Sequence, residues 1–300
     1  MPVRSALAAL AAIVLGVVAG CGGEAEARPD LLFVSTRDGD YAIFEMNADG
    51  SAQNRLTPRD VGDVTSAARL FFQIDPAWSR DARRIAFASR RSGSFDIYVM
   101  NADGSGTRRL TTGKQNDSHP TWSADGARLA FERDGDIFVM SADGSGARRI
   151  SDETSDEREP AWSPDGEWIA FVRRTPGTAV RELWLMRADG TARRPLTSQN
   201  ATVATPAWSP DSSRLVFASN EGGEIYGLYT IGADGKRLRS VAPTATDNFE
   251  PSWSPDGQRI AYVDGGAVYA VESGGGEVEK LTDGANNDSS PVWNPRPPPE

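Results

Sequence analysis

The stretch PAWSPDGEWIAF, residues 160–171, contains two tryptophans, two prolines and an Asp-Gly pair. Variants of it recur along the chain, each with a tryptophan two residues after a proline. The complete copies begin at Pro76, Pro120, Pro160, Pro206 and Pro251, and a truncated copy, PVWN, begins at Pro291. Their tryptophans are 40 to 46 residues apart, a spacing typical of the four-stranded blades of a β-propeller.

Each repeat has the local pattern of four short antiparallel strands. P-x-W-S is a brief first strand, whose proline can stand at the first residue without losing a ladder hydrogen bond. S-P-D-G is a tight turn, because proline presets φ and glycine accepts a positive φ. The second strand is R-I-A-F, the third is a stretch such as DIYVM that ends at A-D-G, and the fourth is R-R-L-T or a variant. The pattern predicts no helix.

The two ends of the repeat array predict how the ring of blades closes. Leu31–Ser35 matches the second strand of a repeat, and residues 291–294 are a lone first strand. Pairing these segments gives an all-β fold, a six-bladed β-propeller of four-stranded antiparallel blades in which the N- and C-terminal strands close one blade. We expect the propeller to span residues 31–294 and the proline-rich residues 295–300 to form a disordered tail.

The N-terminal region is typical of an export signal followed by a lipid anchor. Residues 1–20 contain one arginine and then an apolar run that is too short to span a bilayer. Residues 18–21, VAGC, resemble the lipobox of bacterial lipoproteins, which implies cleavage before Cys21 and acylation of that cysteine. Residues 21–30 would then be the lipidated cysteine and a tether. We expect an exported lipoprotein on the periplasmic or extracellular side of a membrane; the alternative is ordinary signal cleavage that leaves an idle thiol.

Composition and motif searches narrow the function classes. The net charge is −10 and the 32 Lys and Arg residues are scattered, so nucleic acid is not expected as a partner. His119 is the only histidine, which excludes metal sites with two histidines, and neither G-x-S-x-G nor a Walker loop occurs. The Asp-Gly turns lack the pattern of a calcium loop. We expect no cofactor and no catalysis, with a cation in the central channel as an alternative.

The elements P-x-W-S-P-D-G-x-x-I-A-F, I-Y-x-M, A-D-G-S-G and R-L-T resemble the propeller repeats of the TolB family over residues 31–294. This resemblance implies a propeller that acts as an interaction module in the cell envelope. TolB carries an additional α/β domain before its propeller, whereas here we expect only the short tether before Leu31. We expect a monomer that binds an envelope protein or peptide.

Differences among the repeats indicate which face of the propeller binds a partner. The S-P-D-G and A-D-G turns share one face and are uniform, whereas the loops that enter first strands or join second to third strands share the other face and vary. Binding requires differences among repeats, so the varied face is the candidate binding face. The residues before the conserved prolines are expected near the channel on that face: Asp75, His119, Glu159, Thr205, Glu250 and Ser290.

The other candidate residues on this face permit more than one interpretation. Four arginines follow second strands: Arg37, Arg90, Arg133 and Arg173. Exposed ion pairs with these arginines would account for the acids without a ligand, or the acids could bind a cation or a basic peptide segment. The long connection at residues 57–75 contains Phe71 and Phe72, which either anchor a partner or plug the channel.

Three hypotheses for function follow, and the third is a purely structural lipoprotein. The first is a lipid-anchored, non-catalytic propeller that binds a protein or peptide in the cell envelope. The second is a glycan-active enzyme, a hydrolase or a lyase, that uses carboxylates at the channel mouth. Two acids about 5 to 10 Å apart in a deep, sugar-sized cleft would favour the enzyme.

Overall fold

The repeats fold into six antiparallel sheets around a central channel, in a computed structural model that describes residues 29–58, 73–152, 156–198, 201–221, 223, 225–242 and 248–296. The described residues form 24 strands in six four-stranded sheets, which confirms the all-β, six-bladed prediction. No helix in this part of the chain is long and apolar enough to span a bilayer. The predicted signal, Cys21, Phe71, Phe72 and residues 297–300 lie outside the described residues.

The strands of each blade follow one another from the channel outwards. Blade 1 contains β1 (Leu31–Ser35), β2 (Ala42–Met46), β3 (Asn54–Arg55) and, as its innermost strand, β24 (Ser289–Trp293). The other blades are consecutive in the chain: blade 2 is β4 (Gln73–Trp78), β5 (Arg84–Ser89), β6 (Asp96–Asn101) and β7 (Arg108–Arg109); blade 3 is β8 (Asp117–Trp122), β9 (Arg128–Arg133), β10 (Asp136–Ser141) and β11 (Arg148–Arg149); blade 4 is β12 (Glu157–Trp162), β13 (Trp168–Arg174), β14 (Arg181–Arg187) and β15 (Arg194–Pro195); blade 5 is β16 (Val203–Trp208), β17 (Arg214–Ser219), β18 (Gly227–Gly232) and β19 (Arg239–Ala242); blade 6 is β20 (Asn248–Trp253), β21 (Arg259–Asp264), β22 (Ala267–Glu272) and β23 (Val278–Lys280).

Blade 1 is closed by the two ends of the chain, as the repeat register predicts. β24 pairs antiparallel with β1, and Leu31 lies opposite Trp293. The amide of Asn294 donates a further hydrogen bond of 2.7 Å to the carbonyl of Asp30. The ring of blades therefore has no open gap, and the edge of β1 is covered.

The inner strands differ from the sequence prediction in where the proline lies. β4 begins at Gln73, so Pro76 is its fourth residue rather than its first. The ladder between β4 and β5 is interrupted between Ile74 and Ala77, and Asp75 has a φ of 53°. The same left-handed residue precedes the proline in every inner strand: Asp75, His119, Glu159, Thr205, Glu250 and Ser290. A bulge at this point removes the need for a proline N–H, and it redirects one side chain per blade.

The tryptophans of the repeats pack between neighbouring blades. Trp162 is only 5% exposed and shares an apolar cluster with Ile137 of blade 3 and with Ile169 and Phe171 of blade 4. The turn after it is held by the Ser163 hydroxyl, which donates to Asp165 at 2.5 Å and accepts from the amide of Trp168 at 2.9 Å. The stretch PAWSPDGEWIAF, residues 160–171, therefore has a structural role in the blade.

Candidate functional site

A ring of six side chains, which we call the waist, encircles the middle of the channel. Its members are the residues before the conserved prolines: Asp75, His119, Glu159, Thr205, Glu250 and Ser290. Glu159 accepts a hydrogen bond of 2.5 Å from the amide of Thr205, and Glu250 accepts one of 2.6 Å from the amide of Ser290. The acids thus satisfy backbone N–H groups of the next blade that the bulge takes out of the ladder.

His119 lies among carboxylates at the waist. Its Nδ1 is 3.4 Å from Glu132 and 3.8 Å from Asp75. Burial by itself would lower the pKa of His119, but the charge of Asp75, the hydrogen bond with Glu132 and the charge of Glu159 outweigh it and raise the pKa to about 10. The imidazole is therefore a cation at neutral pH.

Glu132 of β9 is a residue of the candidate site that the sequence analysis missed. The amide of Glu159 donates to its Oε2 at 3.2 Å, the role that a waist residue has in other blades. Burial by itself would raise the pKa of Glu132, but the hydrogen bond with His119 and the amide of Glu159 hold it below its usual value. The signal was present in the sequence, because β9 has this acid where β5 has Ala88 and β13 has Val172.

Glu250 is in a different electrostatic environment from the other acids. Burial raises its pKa, and the negative charge of Asp75 adds to the effect, while the amide of Ser290 and the charge of His119 oppose it. Among the six waist residues, three carboxyl groups face one imidazole. The waist therefore has an excess of acidic groups.

Two cavities meet at the waist, one on each face of the propeller. The first, which we call the proline chamber, has a volume of about 330 Å³ and extends to the S-P-D-G turns, where Arg80, Ala124 and Pro164 line it. Its wall is formed by the conserved prolines and tryptophans of all six blades: Pro76, Pro120, Pro160, Pro206, Pro251, Pro291, Trp78, Trp122, Trp162, Trp208, Trp253 and Trp293. Apolar rings thus surround an acidic floor.

The second cavity, which we call the aromatic chamber, has a volume of about 420 Å³ and lies on the varied face. Tyr41 and Phe249 line it together with Glu159, Thr205 and Glu250, which are also floor residues of the proline chamber. Glu159 and Glu250 therefore lie in mid-channel, where both cavities reach them, and Asp75 lines the proline chamber alone, so the acids are not at a mouth on the varied face. The bulge is the reason, because it turns the residue before each proline into the channel halfway along the inner strand.

The predicted arginines do not neutralise the waist. Arg133 forms a two-pronged ion pair with Asp117 of the same blade, at 2.6 and 2.8 Å. Arg37 is 3.2 Å from Asp288, also within one blade. Arg173 lies 3.8 Å from Asp152 and 4.0 Å from Glu157, and Arg90 is exposed with its guanidinium donating to the carbonyl of Gly93. The ion pairs of the first interpretation exist, but with acids outside the waist.

The described residues offer no ready-made metal centre. No three or more His, Cys, Asp or Glu side chains in this part of the chain are grouped so as to hold a metal ion. At the waist, the His119 cation is already the counter-charge for Asp75 and Glu132. A cation in the channel would have to compete with this imidazolium.

The family comparison agrees with the geometry of the repeats. The model described as TolB beta propeller domain matches residues 64–198 and 159–297. The chain belongs to this family. The resemblance inferred from the repeat sequence is thereby confirmed.

Individual relatives match over part of their length. The Tol-Pal system protein TolB of Geobacter sulfurreducens is 34% identical over 87 residues, which cover 29% of this chain and 18% of that protein. The chain spans about a fifth of the length of the curated relatives that it matches. The crystal structure of TolB from Acinetobacter baumannii has a TM-score of 0.75 at 20% identity and covers 89% of this chain and 67% of that one.

A propeller enzyme also has a similar fold. The structure titled oligogalacturonate lyase in complex with manganese has a TM-score of 0.54 at 17% identity, and it covers 85% of this chain and 74% of that one. At such low identity the likeness shows the fold alone.

Proposed function

We propose that this protein is an exported, lipid-anchored and non-catalytic β-propeller that binds a protein or peptide partner of the cell envelope. The observation that carries the proposal is the proline chamber, whose apolar wall surrounds an acidic floor. This chamber extends to the uniform S-P-D-G turns, so the proposed site differs from the varied face that the sequence differences among repeats indicated. Ligand sites commonly combine an apolar lining with a few polar groups that fix orientation. The acidic floor favours a partner segment with a positive charge.

Family membership supports an envelope role. The name of the Geobacter sulfurreducens relative assigns that protein to the Tol-Pal system. We extend to the present protein only the general role of an interaction module in the envelope. The partner is identified by chemistry, as a protein or peptide with a basic segment that fits a cavity of about 330 Å³.

Capture of the partner from detergent-solubilised membranes tests the chamber. Ala77 lines the proline chamber, so Ala77→Trp should fill part of it and abolish capture of the proteins retained by the wild type. The matched control is Ala285→Trp, at an exposed position in the connection between β23 and β24 on the opposite face. Capture that survives Ala77→Trp, or that Ala285→Trp alone abolishes, would contradict the proposed site.

Membrane fractionation tests the anchor separately. Cys21→Ser should release the protein from membranes or leave its signal unprocessed, because stable attachment needs the acyl chains on that residue. The same substitution should leave binding in the proline chamber unchanged. An unaltered membrane fraction would show that Cys21 is not the anchor.

One observation favours the competing enzyme hypothesis. Glu250 has a raised pKa, as a general acid requires, and it lines the same tryptophan-walled cavity as Asp75. Against this, an oxygen of Glu250 and one of Glu159 are each committed to a backbone amide. Incubation with acidic and neutral oligosaccharides, analysed by mass spectrometry, separates the hypotheses: cleavage that Glu250→Gln abolishes would establish the enzyme.

A further inference from the structure

The six seams between neighbouring blades are not fastened alike. Three contacts recur: a tryptophan indole N–H donates to the preceding blade, an arginine of that blade lies over the indole, and a side chain accepts the amide of the next waist residue. The seam between blades 2 and 3 has all three. Trp122 donates to the carbonyl of Ala77 at 3.1 Å, Arg84 lies 4.4 Å from its ring, and Asp75 accepts the amide of His119 at 3.2 Å.

The seam between blades 5 and 6 also has the full set. Trp253 donates to Ala207 at 3.3 Å, Arg214 lies 4.9 Å from its ring, and Thr205 accepts the amide of Glu250 at 3.1 Å. Three further seams keep two of the three contacts. Between blades 3 and 4, Arg128 lies over Trp162 and Glu132 accepts the amide of Glu159. Between blades 4 and 5, Trp208 donates to Ala161 and Glu159 accepts the amide of Thr205, and between blades 6 and 1, Arg259 lies over Trp293 and Glu250 accepts the amide of Ser290.

The seam between blades 1 and 2 has none of the three within the described residues. The indole nitrogen of Trp78 is buried without a hydrogen-bond partner, and no described arginine lies over its ring. The hydroxyl of Ser290 does not accept the amide of Asp75, as Thr205 does for Glu250. The sequence explains one absence, since Asp30 stands at the repeat position of Arg84.

Among the described residues, the contacts found at this seam include a longer hydrogen bond and apolar packing. The amide of Gln73 donates to the carbonyl of Tyr41 at 3.2 Å, whereas the equivalent bond of Asp117 at the next seam is 2.8 Å. Apolar packing of Trp78 against Leu32 and neighbouring residues holds the rest of the seam. Apolar contact is non-directional, so packing alone does not fix the orientation of two blades as aligned hydrogen bonds do.

We propose that the propeller opens first at the seam between blades 1 and 2. Blade 1 stays fastened to blade 6 through Arg259 over Trp293 and through Glu250, so the separation is confined to one side of the ring. Trp78 and Val292 line the proline chamber on either side of this seam, and their separation widens the chamber there. The opening is a local one, of lower free energy than unfolding of the whole ring.

Hydrogen exchange of the folded, mature protein, followed by mass spectrometry of peptides, tests the seam. Peptides that contain residues 73–78 should exchange at least roughly tenfold faster than those that contain 117–122 or 248–253, because the latter seams keep a hydrogen bond and a cation–π contact that this one lacks. Equal protection of the three inner strands would overturn the proposal.

Two matched variants separate a loose seam from a loose strand. Asp30→Arg supplies the arginine of the other repeats and should slow exchange of residues 73–78 while leaving 248–253 unchanged. Arg214→Asp removes the guanidinium over Trp253 and should speed exchange of residues 248–253 towards the rate of 73–78. If Asp30→Arg folds and does not slow exchange, or if Arg214→Asp leaves 248–253 fully protected, these contacts do not set the order of opening.

Discussion

The backbone amide of Thr205 donates a hydrogen bond of 2.5 Å to Oε2 of Glu159, so a side chain of blade 4 fixes the backbone of blade 5 at the centre of the channel. The relationship links the candidate site to the fold. The carboxyl group that would attract a ligand also holds a left-handed residue in place. Substitutions at the waist must therefore be judged on stability as well as on binding.

Removing the Glu159 side chain should destabilise the protein. Glu159→Ala leaves the amide of Thr205 without its acceptor, and we expect the free energy of unfolding to fall by about 1–3 kcal/mol in urea titrations. Glu159→Gln keeps an acceptor oxygen and should cost less. Glu167→Ala, at an exposed position in the following turn, is the control and should change stability by no more than about 0.5 kcal/mol. Equal losses for Glu159→Ala and the control would show that the hydrogen bond between Thr205 and Glu159 adds nothing to the free energy of unfolding.

The blades and their closure could be predicted from the sequence because repetition reports them directly. The pairing of Leu31 with Trp293 follows from counting strands in each repeat. The bulge at Asp75 could not be predicted, since a repeated proline indicates a residue type and not the φ of its neighbour. Without the bulge, the acids were expected at a channel mouth. Glu132 was missed because it lies within a second strand and not at the position before a repeat proline, and only its apolar equivalents in other second strands, such as Ala88 and Val172, marked it.

Stability should depend on pH through His119. Burial opposes its charge, but Asp75, Glu132 and Glu159 raise its pKa from 6.5 to about 10. A group whose pKa is raised on folding stabilises the native state fully below its unfolded pKa and loses that effect as pH rises through the folded value. The stability advantage of the wild type over His119→Gln should therefore be constant between about pH 5 and pH 6.5, where the carboxylates are ionised and the imidazole is charged in both states, and it should shrink towards pH 10. Urea titrations at several pH values measure it, and a difference that grows with pH would contradict this prediction.

Truncating the tryptophan of a repeat should be costly. Trp162 is 5% exposed between blades 3 and 4, so Trp162→Ala leaves a cavity and should lower the free energy of unfolding by roughly 3–5 kcal/mol. Trp168→Ala is the matched control, because that indole is half-buried with the guanidinium of Arg187 4.2 Å from its ring. The control should lose less in the same urea titration. A larger loss for Trp168 would place the structural role in the second strand instead.

Closure of blade 1 by β24 should govern the stability of the whole ring. A chain that stops after Ser290 lacks most of β24, which leaves the backbone groups of β1 without their inner partner and exposes a strand edge. We expect a sharply lower melting temperature by circular dichroism, whereas a chain that lacks only residues 297–300 should melt like the full one.

A synthetic peptide of residues 288–296 should restore part of the lost stability when added in excess, because strand addition needs no covalent link. Equal melting temperatures of the two truncated chains would show that β24 is dispensable. Failure of the peptide to stabilise the shorter chain, at concentrations where it remains monomeric, would instead indicate that β24 closes the ring only when tethered to blade 6.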